Sequence, residues 1–178
     1  MKMLLKIVLI LVVLILAVGV FLPDTWEVEV KSTMTADVAA VHAQLSDLRN
    51  WNSWSAWNDR KDPTLKMEYT GTGVGSVETW TAEELGTGRM EITASDPATG
   101  VEYFIEFEGM AERLNGKFTY ATQGDTVEVT WTGWGDTGGM PWDNVMMKVF
   151  LPMVRADFEE SLVGLKAKVE GPADSADG

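Results

Sequence analysis

The chain has no cysteine and a single histidine, His42. Without thiols it forms no disulfide, carries no thiol nucleophile and offers no thiolate metal site. One imidazole falls short of the several His or Cys ligands that zinc normally takes. No D-x-D-x-D-G-type calcium loop is present either. The sequence therefore calls for no metal and no cofactor. Basic residues are also scarce, with 14 Lys and Arg against 27 Asp and Glu. Lys2 and Lys6 are the only charges before Asp24, so the rest of the chain carries a formal balance of −15. A surface of that sign repels phosphate backbones and argues against nucleic acid as a partner. The plain reading of the acidity is solubility, and nothing in the sequence names a protein partner.

What the chain does have is one long apolar run. Met3 to Leu22 holds a single charge, Lys6, near its start. Twenty helical residues rise about 30 Å, the thickness of the hydrocarbon layer. Lys6 can snorkel to the interface, Pro23 stops the helix, and Trp26 suits the interfacial belt. A cleaved signal peptide is the rival reading, with Ala17-Val18-Gly19 as a cleavage site. The unbroken run from Ile7 to Leu22 is longer than an h-region of about 7–15 residues, which favours an uncleaved anchor. Positive charge before the helix and Asp24, Glu27 and Glu29 after it put the N-terminus in the cytoplasm and the rest outside. Residues 1–23 are thus read as a transmembrane anchor, 24–170 as one domain of ordinary size, and 171–178 as a disordered tail.

The domain changes period twice. Trp26 to Val30 alternates apolar and acidic residues, as a strand does. Val38, Val41, Leu45 and Leu48 recur at helical spacing over about ten residues, with Ser32 or Thr35 as candidate cap. Trp51, Trp54 and Trp57 follow at i, i+3 and i+6, one face of a helical turn. From Lys66 to Gly135 the period is two, broken by turn signals at Gly71–Gly75, Gly86–Gly88, Asp96–Gly100 and Gln123–Asp125. That is an antiparallel meander of about six strands. The period then returns to 3.6. Asp143 is a candidate cap, and Met146, Val149, Phe150, Met153, Phe158, Leu162, Leu165 and Val169 read as one stripe, with a kink or late start at Pro152. Such a helix has to bury its stripe, and the sheet is its only large partner.

The order of elements and several stretches resemble the START/polyketide-cyclase-like superfamily (SRPBCC), in its membrane-anchored bacterial form. The stretches are Asp47–Trp57 (DLRNWNSWSAW), Gly86–Ile92, Thr126–Trp131 and Asp157–Lys166. The resemblance implies an α+β helix-grip fold: a seven-stranded antiparallel sheet gripping the C-terminal helix around a hydrophobic cavity. It also implies hydrophobic ligands such as lipids, sterols or polyketides, with enzymes a minority. Asn52 departs from the family, which tends to place Pro there, and so leaves that loop less rigid.

Candidate residues follow from aromatic and Met content. Trp54, Trp57, Trp80, Met90, Tyr103, Phe107, Phe118, Trp131, Met146, Phe150, Met153 and Phe158 are the expected lining of a ligand cavity, since flexible Met and aromatic walls suit apolar ligands. The same residues also make a plain core. The Trp cluster suits a lid, a membrane-facing patch or a pin for the short helices. Asp157, at the stripe's edge, and His42 with a Tyr are weak candidates for proton transfer. The glycines of 71–75 lack the Lys-Ser/Thr of a phosphate loop and precede a strand, so they read as a turn. Three readings stand: a hydrophobic, lipid-like ligand binder; a cyclase- or hydrolase-like enzyme; and a structural or interaction domain of the cell envelope.

Overall fold

The computed structural model describes residues 1–171, so the tail expected at 171–178 lies, from 172 on, outside the described residues. The chain runs α1 (Lys2–Phe21), β1 (Thr25–Met34), α2 (Val38–Leu45), a short 3₁₀ helix (Leu48–Ser53), then β2 (Lys66–Thr70), β3 (Val77–Thr81), β4 (Thr87–Asp96), β5 (Gly100–Phe107), β6 (Leu114–Gln123), β7 (Thr126–Asp136) and α3 (Pro141–Glu170). One antiparallel sheet has the order β1-β7-β6-β5-β4-β3-β2. The meander is as its turn signals indicate, and β1 closes onto β7 at one edge, leaving β2 at the other. With α3 this is the helix-grip arrangement.

Period-two patterning sets the inner face. Trp26, Val28 and Val30 are buried and alternate with exposed Thr25, Glu27 and Glu29. Register places Trp131 beside Val30 and Phe118 beside Trp131. The same count places Tyr103 opposite Ile92 on β4. On the outer face Phe104, which breaks the alternation of β5, lies between two guanidiniums, 4.3 Å from Arg113 and 5.3 Å from Arg89. Arg89 therefore points outward, as its phase indicates.

The helices differ from the sequence reading in detail. α2 has eight residues and Asp37 as its N-cap residue, without a side-chain cap bond. The 3₁₀ helix ends at Ser53, so only Trp51 lies within it, and Trp54 is its C-cap. α3 begins at Pro141, a residue whose fixed φ and missing N–H suit the first helical position. Asp143 sits in its first turn instead of capping it, and the helix runs on through Pro152.

The expected stripe of α3 is two faces read as one. From Met153 to Phe158 the step is five residues, which rotates the helix away from the sheet. The residues that meet the core in the first half are Met147, Leu151 and Val154, leading into Phe158, Leu162 and Leu165. Phe150 and Met153 are exposed on the other side and Met146 is half-buried. These three leave the expected cavity lining for that reason.

Candidate functional site

The space between sheet and α3 is filled by aromatic rings. Phe158 stacks on Trp131 at 3.8 Å between centroids and 5° between planes. Trp131 meets Phe118 at 4.7 Å and Trp57 edge-on at 6.2 Å. Its indole Nε1 donates to the Tyr103 hydroxyl at 2.8 Å. Trp54, 2% exposed, meets Phe118 and Trp131 edge-on, and Trp51 meets Tyr103. Bare glycines in the strands make room. A Cβ on Gly116 would lie 2.2 Å from the Tyr103 ring, and one on Gly133 would lie 2.8 Å from that of Phe158. Trp54, Met90, Tyr103, Phe118, Trp131 and Phe158 thus come together as core, with Trp57 half-buried at its rim. A hollow of about 340 Å³ lies elsewhere, bounded by Pro23, Trp26, Asn115 and Trp134.

Trp80 and Phe107 lie at the other end of the inner face. They are half-buried and meet edge-on at 5.5 Å. Gly88 lies between them in register, and a Cβ there would fall 2.5 Å from the Trp80 ring. Two residues up β3 is Glu78, only 4% exposed. It pairs with Met90 on one side and Tyr69 on the other. Ser76, 3% exposed, follows on the same face. Five buried polar side-chain atoms lack a hydrogen-bond partner among the described residues: Trp26 Nε1, Gln44 Oε1, Trp54 Nε1, Ser76 Oγ and Glu78 Oε2. Only two of them, Ser76 Oγ and Glu78 Oε2, share one strand face, two residues apart. Glu78 is also the only carboxylate of the five, and a buried polar group left unpaired carries a desolvation cost.

Burial sets the titration of this group. Loss of water around Glu78 pushes its carboxyl up to about 7. Tyr69 rises to about 12, chiefly from burial and next from the charge of Glu78. The group is held between two straps. At one end Arg49 lies over the Tyr69 ring at 5.8 Å and donates to the Gly71 carbonyl at 3.0 Å. At the other end residues 54–65 bridge α3 to the β3–β4 turn. Ala56 N–H donates to Ser161 Oγ, and Lys61 pairs with Asp157 at 2.7 Å. Asp62 accepts from the N–H groups of Glu84 and Leu85 and from the Thr64 hydroxyl, which holds its carboxyl down at about 2. Asn52 accepts the Asp59 N–H at 3.1 Å, so this departure from the family pattern ties the loop instead of loosening it.

The two weak catalytic candidates separate. Asp157 is ion-paired with Lys61 on the far side of the strap. His42 lies within hydrogen-bond distance of two hydroxyls, Tyr120 at 3.1 Å on Nδ1 and Ser95 at 3.3 Å on Nε2. Burial lowers its pKa, and the charge of Asp96 offsets part of that. The expected pairing of His42 with a Tyr is therefore present, at a distance along the sheet from Glu78. No cluster of three His, Asp or Glu residues among the described residues has metal-binding geometry.

Comparisons agree with this architecture. The sequence profile of a family described as polyketide cyclase / dehydrase and lipid transport matches residues 25–170. The chain belongs to that family. Protein CV1439 from Chromobacterium violaceum is similar in structure at TM-score 0.57 and 16% identity, covering 84% of this chain and 99% of its own. Truncated norcoclaurine synthase from Thalictrum flavum gives 0.59 at 12% identity, over 80% and 92%. The di-domain ARO/CYC StfQ of the steffimycin biosynthetic pathway gives 0.61 at 10%, over 82% of this chain and 51% of that one. At these identities the likeness is one of fold. No curated protein matches the chain in sequence.

Sequence reasoning missed Glu78, Ser76 and Tyr69. A signal was present: with Trp80 inward, period two puts Glu78 and Ser76 on the same face. The acidic residue was passed over because polar positions on strands normally face water.

Proposed function

We propose that this family member is a membrane-anchored domain that binds a hydrophobic, lipid-like ligand, and that Glu78 recognises the ligand's one polar group. The carrying observation is the buried, unpartnered Glu78 oxygen beside the unpartnered Ser76 hydroxyl, on a face otherwise built of Met67, Trp80, Met90 and Phe107. A mostly apolar surface with few polar groups is the usual make-up of a small-molecule site. A carboxyl that titrates near 7 binds a hydroxyl or an amine as donor or acceptor. The family description, which includes lipid transport, supports the ligand class. The helix α1, long and apolar enough to cross a membrane at mean hydropathy 3.2, supports placement at a bilayer. Lys2 and Lys6 before it support an extracytoplasmic side for the domain.

In this reading the 54–65 strap, tied to α3 and to the β3–β4 turn, is the segment that moves to admit the ligand. The test is equilibrium binding of a fluorescent alkylamine and a fluorescent alkyl alcohol to the full chain in nanodiscs, beside a Glu78→Leu variant. Saturable binding that the variant loses supports the reading. Equal uptake by both proteins contradicts it.

A carboxyl with a pKa near neutrality also suits general acid–base work, so the cyclase- or hydrolase-like reading stands second on the same residue. Turnover of a bound ligand, abolished in Glu78→Gln with binding retained, distinguishes it.

A further inference from the structure

The first half of α3 is apolar on two opposite sides. Met147, Leu151, Val154 and Phe158 recur every three or four residues and face inward. On the other side Trp142, Val149, Phe150 and Met153 are 52%, 64%, 43% and 56% exposed, with Met146 between them in helical phase. A helix that is apolar all round belongs in a core or in lipid. Here the core takes one side only. From Pro141 to Val154 the only charges are Asp143 and Lys148.

What adjoins this outer face is α1. Asn144, buried, donates its amide to the Gly19 carbonyl at 3.2 Å and to that of Leu22 at 3.5 Å. These carbonyls lie at the C-terminal end of α1, where helix geometry leaves acceptors to be satisfied, and that of Gly19 also accepts the Leu22 N–H at 3.3 Å. The Thr137 hydroxyl donates to the Asp24 carbonyl at 3.0 Å and pairs with Asn144, and its N–H donates to the same carbonyl at 2.7 Å. Gly19 is pressed against Pro141 so closely that a Cβ would fall 2.0 Å from the Pro141 oxygen. Val145 completes the contact in an apolar groove with Leu14, Ile15 and Val18. The apolar surface of α1 thus meets Val145, and Val149 of the exposed face follows it one turn along α3.

We infer that the first half of α3, Pro141–Met153, lies in the interface of the bilayer that α1 crosses, so that two helices, not one, hold the domain on lipid. The inference rests on α1 crossing the bilayer. A lipid surface is the occupant because the face is continuous with a helix that carries no charge from Ile7 to Phe21. Its polar-tipped residue, Trp142, stands at the end where α1 meets the interface.

The absence of cysteine makes the test clean. Single cysteines are introduced into the full chain at Leu9, Val149, Phe150, Met153 and Val163, labelled with a nitroxide and reconstituted in phosphatidylcholine vesicles. Accessibility to oxygen and to a water-soluble nickel chelate is read by electron paramagnetic resonance. Val163, 68% exposed on the second half of α3, is the aqueous reference. The expected result is several-fold lower nickel accessibility at 149, 150 and 153 than at 163, with oxygen favoured as it is at 9. Labels at 149, 150 and 153 that match 163 while 9 is in lipid overturn the inference alone. A water-exposed label at 9 overturns the anchor reading and the inference with it. Spin–spin broadening at 150 shows a second copy on this face and also overturns it.

Discussion

Phe158 of α3 lies flat on Trp131 of β7, and below it the sheet has Gly133 in place of a side chain. Helix and sheet are joined at this stack. Phe158→Ala removes a 4%-exposed ring from this stack. The expected cost is about 3–5 kcal/mol in urea unfolding. The void left against Trp131 is apolar, so benzene is expected to bind the variant and raise its midpoint.

Gly116 gives the complementary case. Its Cβ position is taken by the Tyr103 ring at 2.2 Å. Gly116→Ala forces that ring off its place, at an expected cost of about 1–3 kcal/mol. Unfolding by urea measures it, and the near-ultraviolet circular dichroism of the aromatic core is expected to change with it.

The Tyr103 hydroxyl is the acceptor for the buried Trp131 indole N–H. Tyr103→Phe keeps the ring and removes the acceptor. The stranded donor is expected to cost about 1–3 kcal/mol, measured by the same unfolding transition. Burial pushes the Tyr103 phenol well above its ordinary range, so it stays neutral through the accessible pH range.

Glu78 predicts the pH dependence of stability. Its folded value, about 7, lies above its ordinary 4.5, so the unfolded chain gives up this proton first as pH rises. The group costs nothing below about 4.5, lowers stability progressively up to about 7, and keeps it lowered above. The full effect is roughly 3 kcal/mol. Glu78→Gln, an uncharged shape match, is expected to unfold near the wild-type midpoint at pH 4.5 and well above it at pH 8. Denaturant midpoints at the two pH values check both halves of the statement.

Much of the fold was legible in the chain because each strand carries its own alternation and each turn its own Gly or Asp signal. The seven strands, the long last helix and the aromatic core at Tyr103, Phe118, Trp131 and Phe158 follow from local pattern. The phase of α3 did not. Helical periodicity reports that apolar residues share a side, and α3 has two such sides before Pro152. Packing of Met147, Leu151 and Val154 on the core, and the contact with α1 through Gly19 and Asn144, separate them, and both join distant parts of the sequence. The polar site was hidden for a related reason. Glu78 looks like any solvent-facing strand residue until the registers of β2 and β4 place Tyr69 and Met90 beside it. The His42–Tyr120 pairing likewise joins residues 78 apart, which spacing alone does not reveal.

The most direct test of the ligand reading is the titration of the Glu78 side-chain carboxyl carbon by NMR, in the full chain, with and without octylamine. The account predicts a midpoint near 7 in the free protein and a clear fall when the amine is added, because a bound cation favours the charged carboxylate. A midpoint in the ordinary carboxylate range, or one near 7 that the amine does not move, would contradict it.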